Sequence, residues 1–201
     1  MLELLAPAGN LDAVIAAVQN GADAVYMGFG DGFNARRSAD NFTQESFAKA
    51  VRYCHIRGCK VYVTLNTLVG DREMDAAAAL AQQASDAGAD AILVQDLGLA
   101  SVLRAALPDI PLHASTQMSI HNLAGVEAAA EMGITRAVLA RELSLEQIRF
   151  ISQHASIETE VFVHGALCFC YSGQCYMSAL IGRRSGNRGA CAQPCRMQYS
   201  M

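Results

Sequence analysis

The chain has 201 residues and a net charge of −4, with 52% hydrophobic and 17% charged residues, which is ample for the core of one large domain or two small ones. No apolar run has the length of a membrane span, and the N-terminus lacks the basic start and apolar centre of a signal peptide. We therefore predict a cytoplasmic protein with no membrane partner. In that reducing compartment, clustered cysteines are more often metal ligands or redox groups than disulfides.

Short apolar segments alternate with Ala-rich helical stretches along the first 163 residues. The segments that predict strands are 2–5, 24–27, 60–65, 91–94, 112–114, 137–139 and 159–163. The stretches that predict helices are 11–20, 44–57, 74–87, 97–106, 124–132 and 145–154. Most strands are continuously apolar, as is typical of parallel strands covered on both faces. The strand–helix alternation predicts a parallel α/β fold.

An internal repeat refines this prediction. The sequence GADAV begins at Gly21, GADAI begins at Gly88, and a weaker copy begins at Gly133. Each glycine follows a predicted helix and precedes a predicted strand, where a left-handed C-cap is expected. This repeated unit predicts a TIM-type (β/α) barrel. A doubly wound sheet is the alternative, but no strand is followed by G-x-G-x-x-G.

A closed barrel needs eight strands, and the sequence predicts seven. We expect an incomplete barrel over residues 1–163, followed by a cysteine-rich segment, residues 164–201, that continues into a further C-terminal part. The alternative is that residues 197–201 form a short closing strand. Two unpaired strand edges would favour self-association through the open barrel.

Polar residues follow nearly every predicted strand. In a β/α barrel these positions converge at the C-terminal mouth, where active sites lie. Each residue alone is better explained as an ordinary loop or cap residue, and Asp96 and Glu142 fit positions near helix N-termini, so the evidence lies in the set taken together. The set comprises Asn34, Arg36, Asn66, Thr67, Gln95, Asp96, Ser115, Thr116, Gln117, Arg141, Glu142 and His164.

The cysteine-rich segment holds five of the seven cysteines, at positions 168, 170, 175, 191 and 195. Residues 161–201 carry four arginines and no acid, whereas residues 1–160 carry 11 basic against 19 acidic residues. Those arginines either balance thiolates on a metal or attract an anionic substrate. The spacings lack the C-x2-C pairs of zinc knuckles and better suit an iron–sulfur cluster. A Cys/His nucleophilic pair using His164 or His113 is the alternative, and Cys54 and Cys59 are predicted to be small buried hydrophobes.

Several motifs resemble the signature of peptidase family U32. The main motif runs from Glu160 through the GALC sequence ending at Cys168 to the G-x-C-x-MS sequence around Cys175. The LLAPAG opening at residues 4–9, the GADAVY sequence, NAR at 34–36, RELS at 141–144 and GAC at 189–191 also resemble that family.

The resemblance implies two functions of different classes. Some members are described as collagenase-like proteases, which act on peptides. Others support oxygen-independent hydroxylation of RNA or of a small aromatic ubiquinone precursor, with a 4Fe–4S cluster and prephenate as the oxygen source. A metal-stabilised scaffold without catalysis is a third reading.

Under the hydroxylation reading, the resemblance places cluster ligands at Cys168, Cys175 and Cys191, with the fourth ligand beyond residue 201. The other roles follow from the strand-end positions and the chemistry of the side chains. The predicted catalytic residues are Arg141, which would hold a carboxylate, His164, which would pass a proton, and Glu142. The residues predicted to bind substrate are Asn34, Arg36, Asn66 and Gln117.

Overall fold

The computed structural model describes residues 2–30, 32–35, 41–165 and 167–199. Its seven strands form one parallel sheet in the order of the chain, which is the predicted TIM-like architecture. The strands are β1 (Leu5–Pro7), β2 (Ala24–Met27), β3 (Lys60–Leu65), β4 (Ala91–Val94), β5 (Leu112–Ala114), β6 (Ile134–Val138) and β7 (Glu158–Glu160). The helices are α1 (Leu11–Gln19), α2 (Gln44–His55), α3 (Met74–Asp86), α4 (Leu97–Ala106), α5 (Leu123–Glu131), α6 (Leu145–His154) and α7 (Met177–Gly182). No helix in these ranges is long and apolar enough to cross a bilayer.

The helices begin and end where the sequence supplies caps. Asn10 and Asp96 accept hydrogen bonds from the main-chain N–H three residues along, so Asp96 is the N-cap of α4. Gly21, Gly88 and Gly133 have φ angles of 89°, 96° and 80°. This confirms the prediction that each repeated glycine takes the left-handed turn between a helix and the next strand.

Strands β2 to β6 are mostly buried, as the continuously apolar segments predicted, whereas the edge strands β1 and β7 are partly exposed. One core packs the sheet against the helices and includes Val25, Val63, Ile92 and Leu112, while Cys54 and Cys59 are buried in it as predicted. A smaller core faces the barrel interior. It contains Ala24, Tyr62, Ala91, Leu93 and Val138.

The sheet curls so that its two ends approach each other at the N-terminal ends of the strands. Arg136 of β6 is 9% exposed, and its Nη1 lies 2.5 Å from Glu3, which precedes β1. The same guanidinium contacts Glu158 at 2.6 Å and Glu160 at 3.6 Å on β7, and Tyr62 donates to Glu3 at 2.9 Å. This ion cluster links strands from both halves of the sheet at the face where barrels keep their stabilising residues.

The first and last strands differ from the prediction. We predicted β1 over 2–5, but Leu2 is 96% exposed and pairing with β2 begins only at Leu5. We predicted β7 over 159–163, but it comprises Glu158–Glu160, and Val163 is 87% exposed. β6 begins three residues earlier than predicted, at Ile134.

The closing-strand alternative is not supported by residues 197–199, because residues 194–196 form a 3₁₀ turn and no strand follows in the described residues. Residues 200 and 201 lie outside the description. Within the described residues β1 and β7 each pair with one strand only, and self-association through these edges stays a prediction.

Candidate active site

A chain of amide side chains crosses the C-terminal mouth of the sheet. Gln117 Nε2 donates to the main-chain oxygen of Asn66 at 2.9 Å, and Gln95 Nε2 donates to that of Gln117 at 3.2 Å. Asn66 Nδ2 donates to Ser115 Oγ at 3.2 Å, and its Oδ1 accepts from the Ala35 N–H at 3.0 Å. The loops after β2, β3, β4 and β5 are therefore held in one hydrogen-bonded network.

Asn187 of the cysteine-rich segment enters this network. Its Oδ1 accepts from the main-chain N–H of Leu68 at 2.9 Å. Its Nδ2 donates to Gln95 Oε1 at 2.5 Å and to Gln117 Oε1 at 3.2 Å. One carboxamide thus joins the segment to the loops after three different strands, because its oxygen and both N–H groups are used.

A salt bridge fastens the same segment beside Asn187. Arg188 donates from Nη1 and Nη2 to the two carboxylate oxygens of Glu73, at 3.1 and 2.6 Å. Glu73 also accepts from the Gly70 N–H at 2.9 Å. The Arg188 hydrogen bonds, with the Gly70 N–H second, lower the pKa of Glu73.

The first part of the cysteine-rich segment is attached at the loop after β6. Ser172, which is fully buried, donates to Glu142 from its main-chain N–H and from Oγ. The main-chain N–H of Arg141 and its Nε both lie within hydrogen-bonding distance of Ser172 Oγ, at 3.4 and 3.3 Å. Desolvation pushes the pKa of Glu142 up, but hydrogen bonds from its own N–H and from Ser172 outweigh it, so the pKa is lowered. Glu142 is therefore an ionised acceptor that holds the loop.

His121 extends this second network. Its Nδ1 lies 2.5 Å from the main-chain oxygen of Ser119, which can only accept, so Nδ1 carries the hydrogen. Its Nε2 faces Glu142 Oε2 at 3.4 Å, and its ring packs edge-on against Tyr171 at a centroid distance of 5.8 Å. Ser119 Oγ donates to the main-chain oxygen of Ser172.

The surroundings of Gly173 explain why the sequence motif has glycine at this position. Its φ is 76°, and a Cβ at this position would collide with the main-chain carbonyl of Gln117. The backbone of the cysteine-rich segment therefore lies directly on the loop after β5, at a distance that only glycine permits.

The structure brings some of the predicted site residues together and separates others. Asn66 and Gln117 share the amide network, while Arg141 and Glu142 share the Ser172 network. Asn34 is buried and donates to Asn41 at 2.6 Å. His164 is exposed, and no hydrogen bond among the described residues joins it to either network. Arg36 lies outside the described residues.

Three residues of the site were missed at the sequence level: His121, Ser172 and Asn187. Ser172 and Asn187 are polar residues flanked by glycine within the cysteine-rich segment, in the sequences YSGQ and SGNRG. A polar side chain beside glycines was the available signal, since such backbone can approach another loop closely. His121 offered no comparable signal.

The cysteines of the segment are free thiols. Cys168, Cys191 and Cys195 are exposed, and Cys170 and Cys175 are half-buried. Desolvation raises the pKa of Cys170, and the nearby Cys175 and Cys168 raise it further. Among the described side chains, no three Cys, His, Asp or Glu residues are arranged to hold a metal ion. Thiols are the donors that bind iron–sulfur clusters, and these thiols are accessible, so the residues fit such a cluster by donor type. The described side chains are not arranged as a complete ligand site.

Comparison with known proteins places the chain in a family. The sequence profile of peptidase family U32 matches residues 9–201. The chain belongs to peptidase family U32. A solved structure of a U32 peptidase superposes with a TM-score of 0.69 at 18% identity, covering 84% of this chain and 71% of that one, and this likeness supports the fold.

Curated U32 relatives carry two kinds of name. A 23S rRNA 5-hydroxycytidine synthase of Escherichia coli is 45% identical over 200 residues, which is 100% of this chain and 30% of that protein. A tRNA hydroxylation protein of Bacillus subtilis is 41% identical, covering 99% of this chain and 47% of that protein. A collagenase of Porphyromonas gingivalis is 36% identical, covering 99% and 50%. The chain thus spans about a third to a half of these relatives.

Proposed function

We propose that this U32 chain forms part of a cytoplasmic iron–sulfur protein that supports oxygen-independent hydroxylation of RNA. The observation that carries the proposal is the attachment of the cysteine-rich segment across the barrel mouth, through Ser172 at one loop and Asn187 at three others. That arrangement anchors the segment that carries the five thiols on the strand-end loops, which is where barrel enzymes bind substrate. The hydroxylation names of two relatives support the same chemistry.

The charge and exposure of the cysteine-rich segment support RNA over a small aromatic substrate. Arg184 and Arg196 donate to main-chain oxygens of Ala190 and Leu167, and among the described residues Arg188 alone in the segment pairs with a carboxylate. The segment also exposes four aromatic side chains. They are Phe169, Tyr171, Tyr176 and Tyr199. A segment that combines cations of unneutralised charge with exposed aromatic rings suits phosphates and unstacked bases.

Under this proposal the side chains of the chain have distinct roles. Cys168, Cys175 and Cys191 would hold the 4Fe–4S cluster together with a ligand outside this chain, and the bound cluster would supply electron transfer. Arg141 uses its Nε for Ser172, and its remaining guanidinium N–H groups would bind a carboxylate of prephenate, for which the fork geometry is suited. Glu142 would position the cysteine loop, and exposed His164 would exchange a proton with solvent.

Peptide cleavage is the second candidate, and the collagenase name of one relative favours it. It requires a thiolate activated by a base. Among the described residues, no hydrogen bond joins a cysteine to a histidine.

Cysteine substitutions in the anaerobically purified full-length protein test the proposal. Cys168→Ala and Cys175→Ala should each abolish the visible cluster absorbance and RNA hydroxylation, because both thiolates are ligands. Cys54→Ala is the matched control, since burial raises the pKa of this thiol to about 12 and keeps it protonated in the core. Cleavage of a collagen-like peptide that survives iron removal would instead establish the peptidase.

A further inference from the structure

Hydrogen bonds to main-chain groups fix which terminal atom is oxygen and which is nitrogen in the side-chain amides of Gln95, Gln117 and Asn187. Gln95 Nε2 and Gln117 Nε2 each donate to a main-chain carbonyl, which can only accept. Both Oε1 atoms are therefore acceptors. The Leu68 N–H can only donate, so the Asn187 atom that it meets is the oxygen. No alternative orientation of any of these amides keeps the same bonds.

These groups form a small recognition site, which we call the amide socket: the Leu68 N–H, Gln95 Oε1 and Gln117 Oε1. It presents one donor beside two acceptors, and Gln95 is only 7% exposed. In the structure the occupant is the carboxamide of Asn187, which offers one acceptor next to an NH₂ group with two hydrogens.

We propose that the amide socket binds the edge of a nucleobase in which a ring-nitrogen acceptor adjoins an exocyclic amino group, and that Asn187 occupies it when RNA is absent. The inference rests on the proposed function, because it identifies which base edge the RNA-hydroxylating site would accept. Cytosine (N3 and N4–H₂) and adenine (N1 and N6–H₂) carry this arrangement. Both reproduce the O=C–NH₂ pattern of a carboxamide atom for atom.

Uracil does not reproduce the pattern. Its carbonyl oxygen adjoins a single ring N–H, so one of the two glutamine oxygens would lose its partner in the socket. An unpaired buried acceptor is costly, and a site that is built to pair with a donor rejects the analogue lacking it. The socket therefore discriminates between amino-substituted bases and uracil.

The backbone around Asn187 permits its exchange for a base. Gly186 and Gly189 flank the Asn187–Arg188 pair, and Gly189 has a φ of 67°. The Arg188–Glu73 salt bridge is the adjacent attachment that must yield when the segment lifts. When an internal side chain competes for the socket, only the molecules with an open socket can bind a ligand. The apparent affinity is therefore the intrinsic affinity multiplied by the fraction of molecules in which the socket is open.

Equilibrium binding of CMP, AMP and UMP to the full-length protein tests this inference without turnover. Asn187→Ala should raise the affinity for CMP or AMP at least about tenfold, because the competing carboxamide is gone. UMP should bind the variant about 5- to 150-fold more weakly than the preferred nucleotide, the range for one bidentate base contact. Gln95→Ala in the Asn187→Ala background should remove that preference. The three nucleotides share one phosphate, so attraction to arginines cancels.

Arg188→Ala supplies a second route to the open socket, since it releases the segment without altering any socket residue. It should also raise the affinity for CMP or AMP, whereas Arg52→Ala on α2 should not. Equal binding of all three nucleotides by both variants, or weaker binding of CMP and AMP by both than by the parent protein, would overturn the inference.

Failure of the amide socket can be told apart from failure of the proposed function. Hydroxylation of RNA together with equal binding of the three nucleotides would contradict the socket alone. A preference for CMP or AMP over UMP in a protein that does not hydroxylate RNA would contradict the proposed function alone.

Discussion

Ser172, Gly173 and Asn187 attach the cysteine-rich segment to the barrel through contacts of single residues. Ser172 binds Glu142 and Arg141, Asn187 fills the amide socket, and Gly173 lies against the Gln117 backbone. Each contact spans at least 30 positions in sequence. The polar positions at the strand ends predicted one partner in most of these pairs, namely Gln95, Gln117, Arg141 and Glu142. They could not predict the other partner, because no local pattern specifies a contact at that separation.

Substitution of Gly173 tests whether the backbone of the cysteine-rich segment packs directly against the backbone of Gln117. Gly173→Ala would place a Cβ against the Gln117 carbonyl in a left-handed backbone, and we expect a loss of about 1–3 kcal/mol in the free energy of unfolding. Gly182→Ala is the matched control, because no atom lies within 4 Å of its Cβ position. Urea denaturation of both variants measures the difference. Equal stability of the two variants would show that the segment does not rest on Gln117.

His113 makes a pH-dependent contribution to stability. Burial, with the charge of Arg136 second, lowers the pKa of His113 to about 3 from an ordinary value of 6.5. Between these values the unfolded chain binds a proton that the folded protein excludes. Stability therefore falls as pH falls from 6.5 towards 3, by up to about 1.4 kcal/mol per unit for this residue.

The variant His113→Phe isolates this contribution, since it keeps a ring against Tyr62 and removes the titrating group. The stability of the parent protein minus that of the variant, from urea denaturation at pH 7 and pH 5, should decrease at the lower pH. A difference that is unchanged or larger at pH 5 would mean that His113 is protonated in the folded protein.

At the scale of elements, the central strands were predictable and the terminal ones were not. β2, β3 and β4 match their predicted bounds, because strands buried on both faces give uninterrupted apolar sequence. β7 contains Glu158 and Glu160, which local sequence would exclude from a buried strand. Glu158 stays largely exposed to solvent, and the mostly buried Glu160 faces Arg136 on the neighbouring strand, which supplies the opposite charge. The apolar residues Val161 to Val163 instead lie beyond the last pairing.

Removal of Arg136 should therefore lower the free energy of unfolding more than removal of any other charged residue. Arg136→Ala leaves the Glu160 carboxylate without its cation and leaves Glu3 with only Lys60 at 3.4 Å, so we expect the free energy of unfolding to fall by about 3–5 kcal/mol. Desolvation raises the pKa of Glu160, and the charge of Arg136 opposes that rise. Thermal unfolding measures the loss.

Lys49→Ala is the control for Arg136→Ala, since the Lys49–Glu45 pair is exposed on α2 and contributes little. A change in Arg136→Ala as small as that of the control would show that the ion cluster does not join the two ends of the sheet.

The whole molecule divides into an acidic scaffold and a cationic segment. Residues 1–160 hold all 19 acids, and the four arginines after them have no acidic neighbour in sequence. The structure places two anchors of the cationic segment, Ser172 and Asn187, at the carboxyl ends of the strands. The attraction of an anionic polymer to the arginines of this segment would thus act on the part of the chain that is anchored at the strand ends.

Mass spectrometry of RNA nucleosides tests the central claim most directly. RNA from cells that lack the full-length protein would be incubated without oxygen with the purified, iron-loaded protein and prephenate, then digested. We predict a nucleoside heavier by one oxygen atom, formed by the parent protein and the Cys54→Ala variant but not by Cys168→Ala. Unmodified RNA in every sample, together with cleavage of a collagen-like peptide by the same preparation, would contradict the account.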